Sequence, residues 1–179
     1  MTDNSDGKIF DFFGREITEE NRLDQVKICI DVSGGKMKGR DARYWKGLLT
    51  CKGRYKKLDG RYPYITRPRA YLATAVALLE ALKHRCSVEF SSDSGYLCRD
   101  TSERLAYWSD NNWHKDLGYG DKILVPNKDL WEEIFELSKK HKIKWIGTPA
   151  SKIQERMEYY RLKQEHSSAS KHHRKYRYG

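Results

Sequence analysis

Apolar and polar residues alternate along residues 26–35, which read Val-Lys-Ile-Cys-Ile-Asp-Val-Ser-Gly-Gly. A period of two residues places the apolar side chains on one face and predicts a buried β-strand. The apolar positions of that face are Val26, Ile28 and Ile30. The strand leads directly into Asp31, and the small residues 33–35 predict that it breaks just beyond this aspartate.

Residues 88–95 repeat this pattern, because a β-rich run leads into Asp93 and is followed by Ser and Gly. Two strands that each end in a lone aspartate can place both carboxylates at one end of a sheet. Carboxylates paired in this way can share a divalent cation that prefers oxygen ligands. The pattern therefore predicts a metal site that joins Asp31 to Asp93.

Three short β-type segments follow the first strand, at residues 44–51, 54–58 and 61–65. Lys52-Gly53 separates the first two segments, and Asp59-Gly60 separates the last two. Dipeptides that contain glycine between strand-like runs are typical of β-hairpin turns. We therefore predict antiparallel strands in this part of the chain.

Apolar residues spaced three or four positions apart predict helices in the rest of the chain. The predicted helices cover residues 70–84, 101–112 and 128–141, and a last helix begins at Ser151. Asn127 is the predicted N-cap of the third helix, residues 114–126 a loop, and residues 143–146 a short strand. The order βββ-α-β-α-α-β-α predicts an α/β fold, a mixed five-stranded sheet of three antiparallel strands followed by parallel strands, with helices on both faces.

The net charge of the chain narrows the choice of partner. Its 179 residues fit one domain and carry a formal net charge of +10. Residues 1–25 contain seven acidic and three basic residues, which leaves residues 26–179 at +14. A basic body of this kind favours a polyanionic partner, and nucleic acid before a membrane.

The chain divides into an acidic extension over residues 1–25, a domain over residues 26–165 and a basic flexible tail over residues 166–179. The extension contains an apolar cluster, which either packs on the domain or binds a protein partner. The cluster consists of Ile9, Phe10, Phe12 and Phe13. His172 and His173 resemble a metal-binding tract only weakly. A nucleic-acid-binding tail with interleaved Tyr176 and Tyr178 is favoured over that, and a disordered segment is favoured over both.

Cysteine spacing and hydropathy indicate in which cellular compartment the protein is expected. The four cysteines lack C-x-x-C spacing, so buried reduced thiols are favoured over zinc ligands or disulfides. They are Cys29, Cys51, Cys86 and Cys98. No apolar run approaches the length that spans a membrane, and the N-terminus lacks a signal-peptide pattern. We therefore expect a soluble, cytoplasmic protein. Separately, we expect a monomer.

Several local motifs, taken in order, resemble ribonuclease HI and the wider family of RNase H-like nucleases. The resemblance extends over residues 26–163, and its specificity lies in the order and spacing of the motifs. The matching motifs are Asp31, Ala77-Leu78-Leu79-Glu80-Ala81-Leu82-Lys83, Ser92-Asp93-Ser94-Gly95-Tyr96, Trp108 with Trp113, Asn127-Lys128-Asp129-Leu130-Trp131, and Ile143-Lys144-Trp145 through Gly147 to Gln154-Glu155-Arg156 and Glu158.

The resemblance implies a metal-dependent endonuclease that cleaves the RNA strand of RNA–DNA hybrids with two Mg²⁺ or Mn²⁺ ions. Asp31 and Asp93 match two acidic ligands of the family, and Glu158 matches the position of its last acid. Glu155 lies one turn earlier on the same helix and is the alternative ligand.

The sequence departs from the family at several positions of the site. Tyr71 stands where the first helix of the family carries a metal-binding Glu, and Thr148 replaces the flexible His that assists turnover. Pro68 and Gly95 replace polar residues that contact the minor groove. Because those groups help a protein to recognise the RNA 2′-hydroxyl, their replacement bears on the choice between RNA and DNA.

The resemblance also implies contacts to the substrate. Thr66 and Arg69 match the phosphate-binding pocket of the family, since a hydroxyl and a guanidinium suit a phosphate. Trp113 either packs under a loop or provides a platform for a sugar or base, whereas Trp108 is expected in the core. The full set of predicted substrate-binding residues is Ser33, Thr66, Arg69, Trp113 and Lys115.

Three functions therefore remain open from the sequence. The first is a nuclease that cleaves the RNA of hybrids or of other RNA duplexes. The second is a weakly active or inactive nucleic-acid-binding module in which Tyr71 has removed turnover. The third is a nuclease of the Asp-Asp-Glu type, which acts on DNA with three carboxylates.

Overall fold

The computed structural model describes Glu16, Thr18 and residues 22–37 and 40–175. Side chains are described throughout these ranges except at residues 36–41 and 168–175. The predicted apolar cluster of the N-terminal extension, Ile9 to Phe13, therefore lies outside the described residues, as do the side chains of His172 and His173.

Seven strands and five helices make up the described ranges. The strands are β1 (Asp24–Met37), β2 (Arg40–Cys51), β3 (Arg54–Pro63), β4 (Cys86–Ser92), β5 (His114–Asp116), β6 (Lys122–Leu124) and β7 (Lys142–Gly147). The helices are α1 (Arg67–Glu80), α2 (Gly95–Glu103), α3 (Leu105–Asp110), α4 (Lys128–Lys140) and α5 (Ala150–Lys175).

The main sheet has five strands in the order β3-β2-β1-β4-β7, and β5 pairs with β6 in a separate hairpin. β1, β2 and β3 are antiparallel, whereas β4 lies parallel to both β1 and β7. This arrangement confirms the predicted α/β fold with a mixed five-stranded sheet.

Helices cover both faces of the sheet, as the sequence predicted. Ile28 and Ile30 of β1 point to the face that α1 and α4 bury, together with Phe90 of β4. Alternate residues point to the other face, where Cys29 of β1 and Leu48 of β2 pack on Ile153 of α5. The period of two in β1 thus serves two cores, and α5 lies on the face to which Asp31 also belongs.

β1 continues through residues 33–35, where the sequence predicted a break. Gly34 and Gly35 stay paired with Arg43 and Ala42 of β2. A long antiparallel partner supplies backbone hydrogen bonds across the glycines, so their weak strand propensity does not end the strand.

The dipeptide Asp59-Gly60 does not form the predicted hairpin turn. Both residues lie inside β3 and pair with Lys46 and Trp45 of β2. A Cβ atom on Gly60 would lie 2.6 Å from Nε1 of Trp45, so glycine is required here by the close approach of an indole ring. The turn predicted at Lys52-Gly53 is confirmed, since both residues have positive φ between β2 and β3.

Gly47 lies at the contact between β2 and α1, and its replacement should be costly. A Cβ atom there would overlap the side chain of Leu78, which is fully buried. We expect Gly47→Ala to lower the free energy of unfolding by about 1–3 kcal/mol, measured by urea denaturation. Gly95→Ala is the matched control because an added Cβ meets open space there, and that variant should be neutral or slightly more stable. An equal loss in both variants would contradict this account.

The helical regions differ from the sequence analysis in three places. Residues 95–110 form two short helices instead of one over 101–112, and the predicted loop 114–126 contains the β5–β6 hairpin. α5 continues through Lys175, beyond the boundary set at residue 165, and Arg161 ion pairs with Glu158 and Glu165 support it at helical spacing.

The cysteines are free thiols, three of them buried, in agreement with the sequence analysis. Burial raises the pKa of Cys29 and of Cys98 to about 11, so both thiols stay protonated at neutral pH. In the described ranges, no helix has both the length and the apolar character needed to cross a membrane.

Candidate active site

Asp31 and Asp93 lie at the same level of two neighbouring parallel strands. Cys29 of β1 pairs with Ser91 of β4. Asp31 follows Cys29 by two residues, and Asp93 follows Ser91 by two residues. Neighbouring strands are about 4.8 Å apart, so this register brings the two carboxylates to one edge of the sheet. β4 ends at Ser92, and α2 begins at Gly95, which leaves Asp93 at the mouth of the turn.

The guanidinium of Arg67 lies beside Asp93. Its Nη2 atom is 3.8 Å from Oδ2 of Asp93. The pKa of Arg67 is raised mainly by its hydrogen bond to Tyr71, and further by the negative charges of Asp93 and Asp31. Arg67 opens α1 beside Asp93 and is not among the site residues predicted from the sequence.

Tyr71 connects Arg67 to Asp93. Its side chain is 3% exposed, and its hydroxyl donates a hydrogen bond of 2.6 Å to Oδ1 of Asp93. The same hydroxyl accepts a hydrogen bond of 3.3 Å from Arg67, whose guanidinium also lies 5.7 Å from the centre of the ring. Burial, and then the bond to Asp93, raise the pKa of Tyr71 to about 12, so the phenol is neutral at physiological pH.

The raised pKa of Tyr71 has a measurable consequence at high pH. Its folded-state pKa of about 12 exceeds the ordinary value of 10.0, so the associated stability is complete below pH 10 and is lost as pH rises towards 12. Relative to Tyr71→Phe, the natural protein should lose about 1.4 kcal/mol of unfolding free energy between about pH 9 and about pH 11. Urea denaturation of both proteins at the two pH values measures the difference, and parallel curves would contradict it.

Glu158 shares a cavity with Asp31. The cavity is about 470 Å³ in volume and lies between the sheet and α5. Its charged lining residues are Asp31, Lys46, Lys57, Asp59, Glu158 and Arg161. Asp31, Lys46 and Asp59 pair directly across β1, β2 and β3, so acidic and basic side chains alternate along this floor.

Glu158 is paired with Arg161 one turn further along α5. Arg161 donates to both carboxylate oxygens, at 2.6 Å and 2.8 Å. This bond, and then the charges of Arg161 and Lys57, hold the pKa of Glu158 below its ordinary value. Glu155, the alternative ligand, pairs with Lys152 at 2.9 Å and does not line the cavity. Of these two glutamates, Glu158 alone shares the cavity with Asp31.

The acidic side chains of the site differ in how well they suit a divalent cation. In the described part of the chain, no three His, Cys, Asp or Glu side chains are arranged to hold one metal ion. The oxygen ligands of Asp31 and Glu158 suit Mg²⁺ or Mn²⁺, and the cavity between them has room for an ion with its water. Beside Asp93, in contrast, the guanidinium of Arg67 already supplies positive charge. The residues thus fit a metal ion on one side of Asp31.

Thr66 and Arg69, which were predicted to bind a phosphate, both lie at the N-terminus of α1, and Arg69 has another partner. Thr66 is exposed at the N-terminus of α1, and its side chain makes no capping hydrogen bond. Arg69 pairs with both carboxylate oxygens of Asp129, at 2.9 Å and 2.6 Å, and also contacts Asn127 at 3.3 Å. Asn127 precedes α4 as predicted, yet its side chain does not cap that helix.

The other predicted site residues have different environments. Trp113 is 8% exposed and packs edge-to-face on Phe135, so most of its ring belongs to the core. Lys115 lies on β5, and Ser33 is exposed on β1 beyond Asp31. Thr148 lies next to the end of β4, since its backbone N–H donates to the carbonyl of Ser92. It therefore sits at the same edge of the sheet as Asp93.

Comparison with known proteins shows the family. The RNase H family model matches residues 28–153, a range that includes Asp31 and Asp93 but ends before Glu158. The chain is 36% identical over 127 residues to the ribonuclease H of Thermoanaerobacter sp. (strain X514), which covers 70% of this chain and 78% of that protein. It is 41% identical over 103 residues to the ribonuclease H of Caldanaerobacter subterraneus subsp. tengcongensis, which covers 57% of this chain and 65% of that protein.

Solved structures show the same fold. LC9-RNase H1, a type 1 RNase H with the type 2 active-site motif, superimposes with a TM-score of 0.55 at 20% identity, over 72% of this chain and 65% of that chain. LC11-RNase H1, solved in complex with RNA/DNA hybrid, superimposes with a TM-score of 0.52 at 15% identity, over 71% of this chain and 87% of that chain. The mixed sheet is thus that of an RNase H-like α/β domain. Together with the matches in sequence, they show that this chain belongs to the RNase H family.

Proposed function

We propose that this protein is an RNase H-type endonuclease that hydrolyses the RNA strand of RNA–DNA hybrids with a divalent cation as cofactor. The position of Asp31 carries the proposal, because it lies level with Asp93 and lines the same cavity as Glu158. The curated relatives of this chain are named ribonuclease H, and LC11-RNase H1 was solved in complex with RNA/DNA hybrid. The basic body of the chain supports a nucleic-acid partner.

Asp31 and Glu158 would hold the cation in the cavity beside β1. When bound, a divalent cation activates water and stabilises the negative charge that develops on the phosphate. Lys46 and Lys57 line the same cavity and would add positive charge towards the substrate backbone. The exposed hydroxyl of Thr66 would donate a hydrogen bond to a phosphate at the N-terminus of α1, where backbone N–H groups favour anions.

The bond between Tyr71 and Asp93 favours a second candidate function. A carboxylate that is already satisfied by a buried hydroxyl and a guanidinium is less available to a metal ion. The chain would then bind hybrids at its basic surface and cleave them slowly or not at all.

Cleavage assays with three duplexes test these functions. Purified protein is incubated with end-labelled RNA–DNA hybrid, double-stranded RNA and double-stranded DNA, with Mg²⁺, with Mn²⁺ or with EDTA. We expect cleavage of the hybrid RNA strand that depends on the cation and stops with EDTA. Binding of the hybrid without cleavage would support the second candidate, and cleavage of DNA alone would favour an Asp-Asp-Glu type nuclease.

A further inference from the structure

Both oxygens of the Asp93 carboxylate face groups of α1. Oδ1 accepts the 2.6 Å hydrogen bond from Tyr71, and Oδ2 lies 3.8 Å from the guanidinium of Arg67. The Asp93 side chain is 19% exposed, so these contacts form where water screens them only in part. A cation that bound Asp93 would have to share the carboxylate with the Tyr71 hydroxyl and would be repelled by the charge of Arg67.

Arg67 is held in place by more than its charge. It lies four residues before Tyr71 on α1, so the two side chains are neighbours on one face of the helix. The hydroxyl of Tyr71 accepts a hydrogen bond from the guanidinium, which also lies over the edge of the aromatic ring. Because Tyr71 is buried, it gives Arg67 a fixed support beside the two aspartates.

The positions on the two sides of Asp31 differ. On the side of Asp93, the buried Tyr71 donates a hydrogen bond to the carboxylate and accepts one from the guanidinium of Arg67. On the side of Glu158, the competing cation is Arg161, which pairs with Glu158 on an exposed helix surface and also with Glu165. Exposed ion pairs at helical spacing contribute little free energy. A divalent ion therefore replaces Arg161 at Glu158 at a lower free-energy cost than it replaces Tyr71 at Asp93.

We propose that the Arg67 guanidinium, supported by Tyr71, is a resident cation of the Asp31–Asp93 pair and takes the place of one metal ion. The site with its duplex then holds a single divalent ion, between Asp31 and Glu158. The inference rests on the proposed function, because it concerns the metal content of that same site. It makes Arg67 and Tyr71 positioning residues that determine how many ions bind.

Anomalous scattering from Mn²⁺ tests the inference without a measurement of activity. The protein is crystallised with an RNA–DNA hybrid that carries phosphorothioate linkages in its RNA strand, and the crystals are soaked in Mn²⁺. We expect one anomalous peak at the site of the natural protein, beside Asp31 and Glu158. The variants Arg67→Ala and Arg67→Ala with Tyr71→Glu should gain a second peak, beside Asp31 and Asp93. Arg104→Ala is the matched control, because Arg104 pairs with Asp100 at the end of α2 and should leave the count at one.

Three outcomes would overturn the inference. Two peaks in the natural protein would overturn it while leaving the proposed function in place. One peak in the natural protein and in the folded double variant would show that Arg67 and Tyr71 do not exclude the second ion. Absence of any peak, together with absence of cation-dependent cleavage in the assay above, would overturn the proposed function as well. Thermal unfolding of Arg67→Ala tests whether the variant is folded. We expect it to be folded, because the side chain of Arg67 is 60% exposed.

Discussion

Replacement of Asp31 by Asn is expected to lower the rate of cation-dependent hybrid cleavage by about 10³-fold. Asp31 lies between the two other acids, level with Asp93 and in the cavity of Glu158. The amide keeps the size of the side chain but removes the charge that binds a cation, which corresponds to about 4 kcal/mol of transition-state stabilisation. Single-turnover cleavage of a labelled hybrid measures the effect, and filter binding shows that the hybrid is still bound.

Asp59→Asn is the matched control for this experiment. Asp59 lines the same cavity but lies two strands from Asp31, across from Lys46. We expect its replacement to change the cleavage rate by less than about tenfold, since the charge it removes is remote from Asp93 and partly screened. Equal losses in the two variants would indicate a general effect of charge in the cavity. Retention of the natural rate by Asp31→Asn would end the proposal of a metal site at this position.

Introduction of Glu at position 71, together with Arg67→Ala, is expected to raise the cleavage rate by about 10–100-fold. The double change removes the hydroxyl and the guanidinium that occupy Asp93 and adds a carboxylate on the same turn of α1. The rate gain reflects a second cation position, which stabilises more of the charge that develops in the transition state. Cleavage rates across a range of Mn²⁺ concentrations measure both the gain and its dependence on the ion.

The matched control places Gln instead of Glu at position 71 in the same Arg67→Ala background. Gln has nearly the same size and polarity, but it lacks the charge that a metal ion requires. The gain should therefore be absent from this variant. Thermal unfolding of both double variants is needed, because residue 71 is 3% exposed and a buried charge lowers stability in the absence of a cation. A folded Glu variant without any gain would contradict the view that Tyr71 and Arg67 limit the cleavage rate.

The two aspartates and the sheet around them could be predicted because their signals are local. Alternation in β1 and β4 indicated which side chains are buried, and Asp31 inside β1 and Asp93 just after β4 lie at one end of the sheet. The order of strands and helices then fixed a mixed sheet. The break predicted at residues 33–35 and the turn predicted at Asp59-Gly60 failed for a different reason. Pairing with β2 and contact with Trp45 are tertiary features, and they outweigh the local preference of glycine.

The partners of the site residues could be predicted less well than the residues themselves. The spacing of Arg67 and Tyr71 is visible in the sequence and is the one signal that could have identified Arg67. Its contact with Asp93, and that of Arg69 with Asp129, join residues distant in the chain, so they depend on how the helices pack on the sheet. The burial of Trp113 likewise depends on a contact between residues distant in the chain, since its ring packs on Phe135 of α4.

The bidentate bond between Arg69 and Asp129 changes how salt should act on duplex binding. A phosphate that binds Arg69 takes the guanidinium from a carboxylate, so one anion replaces another and few counterions are released. A basic residue of this kind adds less to the slope of affinity against ionic strength than its charge suggests. The number of phosphates that the protein neutralises, derived from that slope, should therefore be smaller than the number it touches.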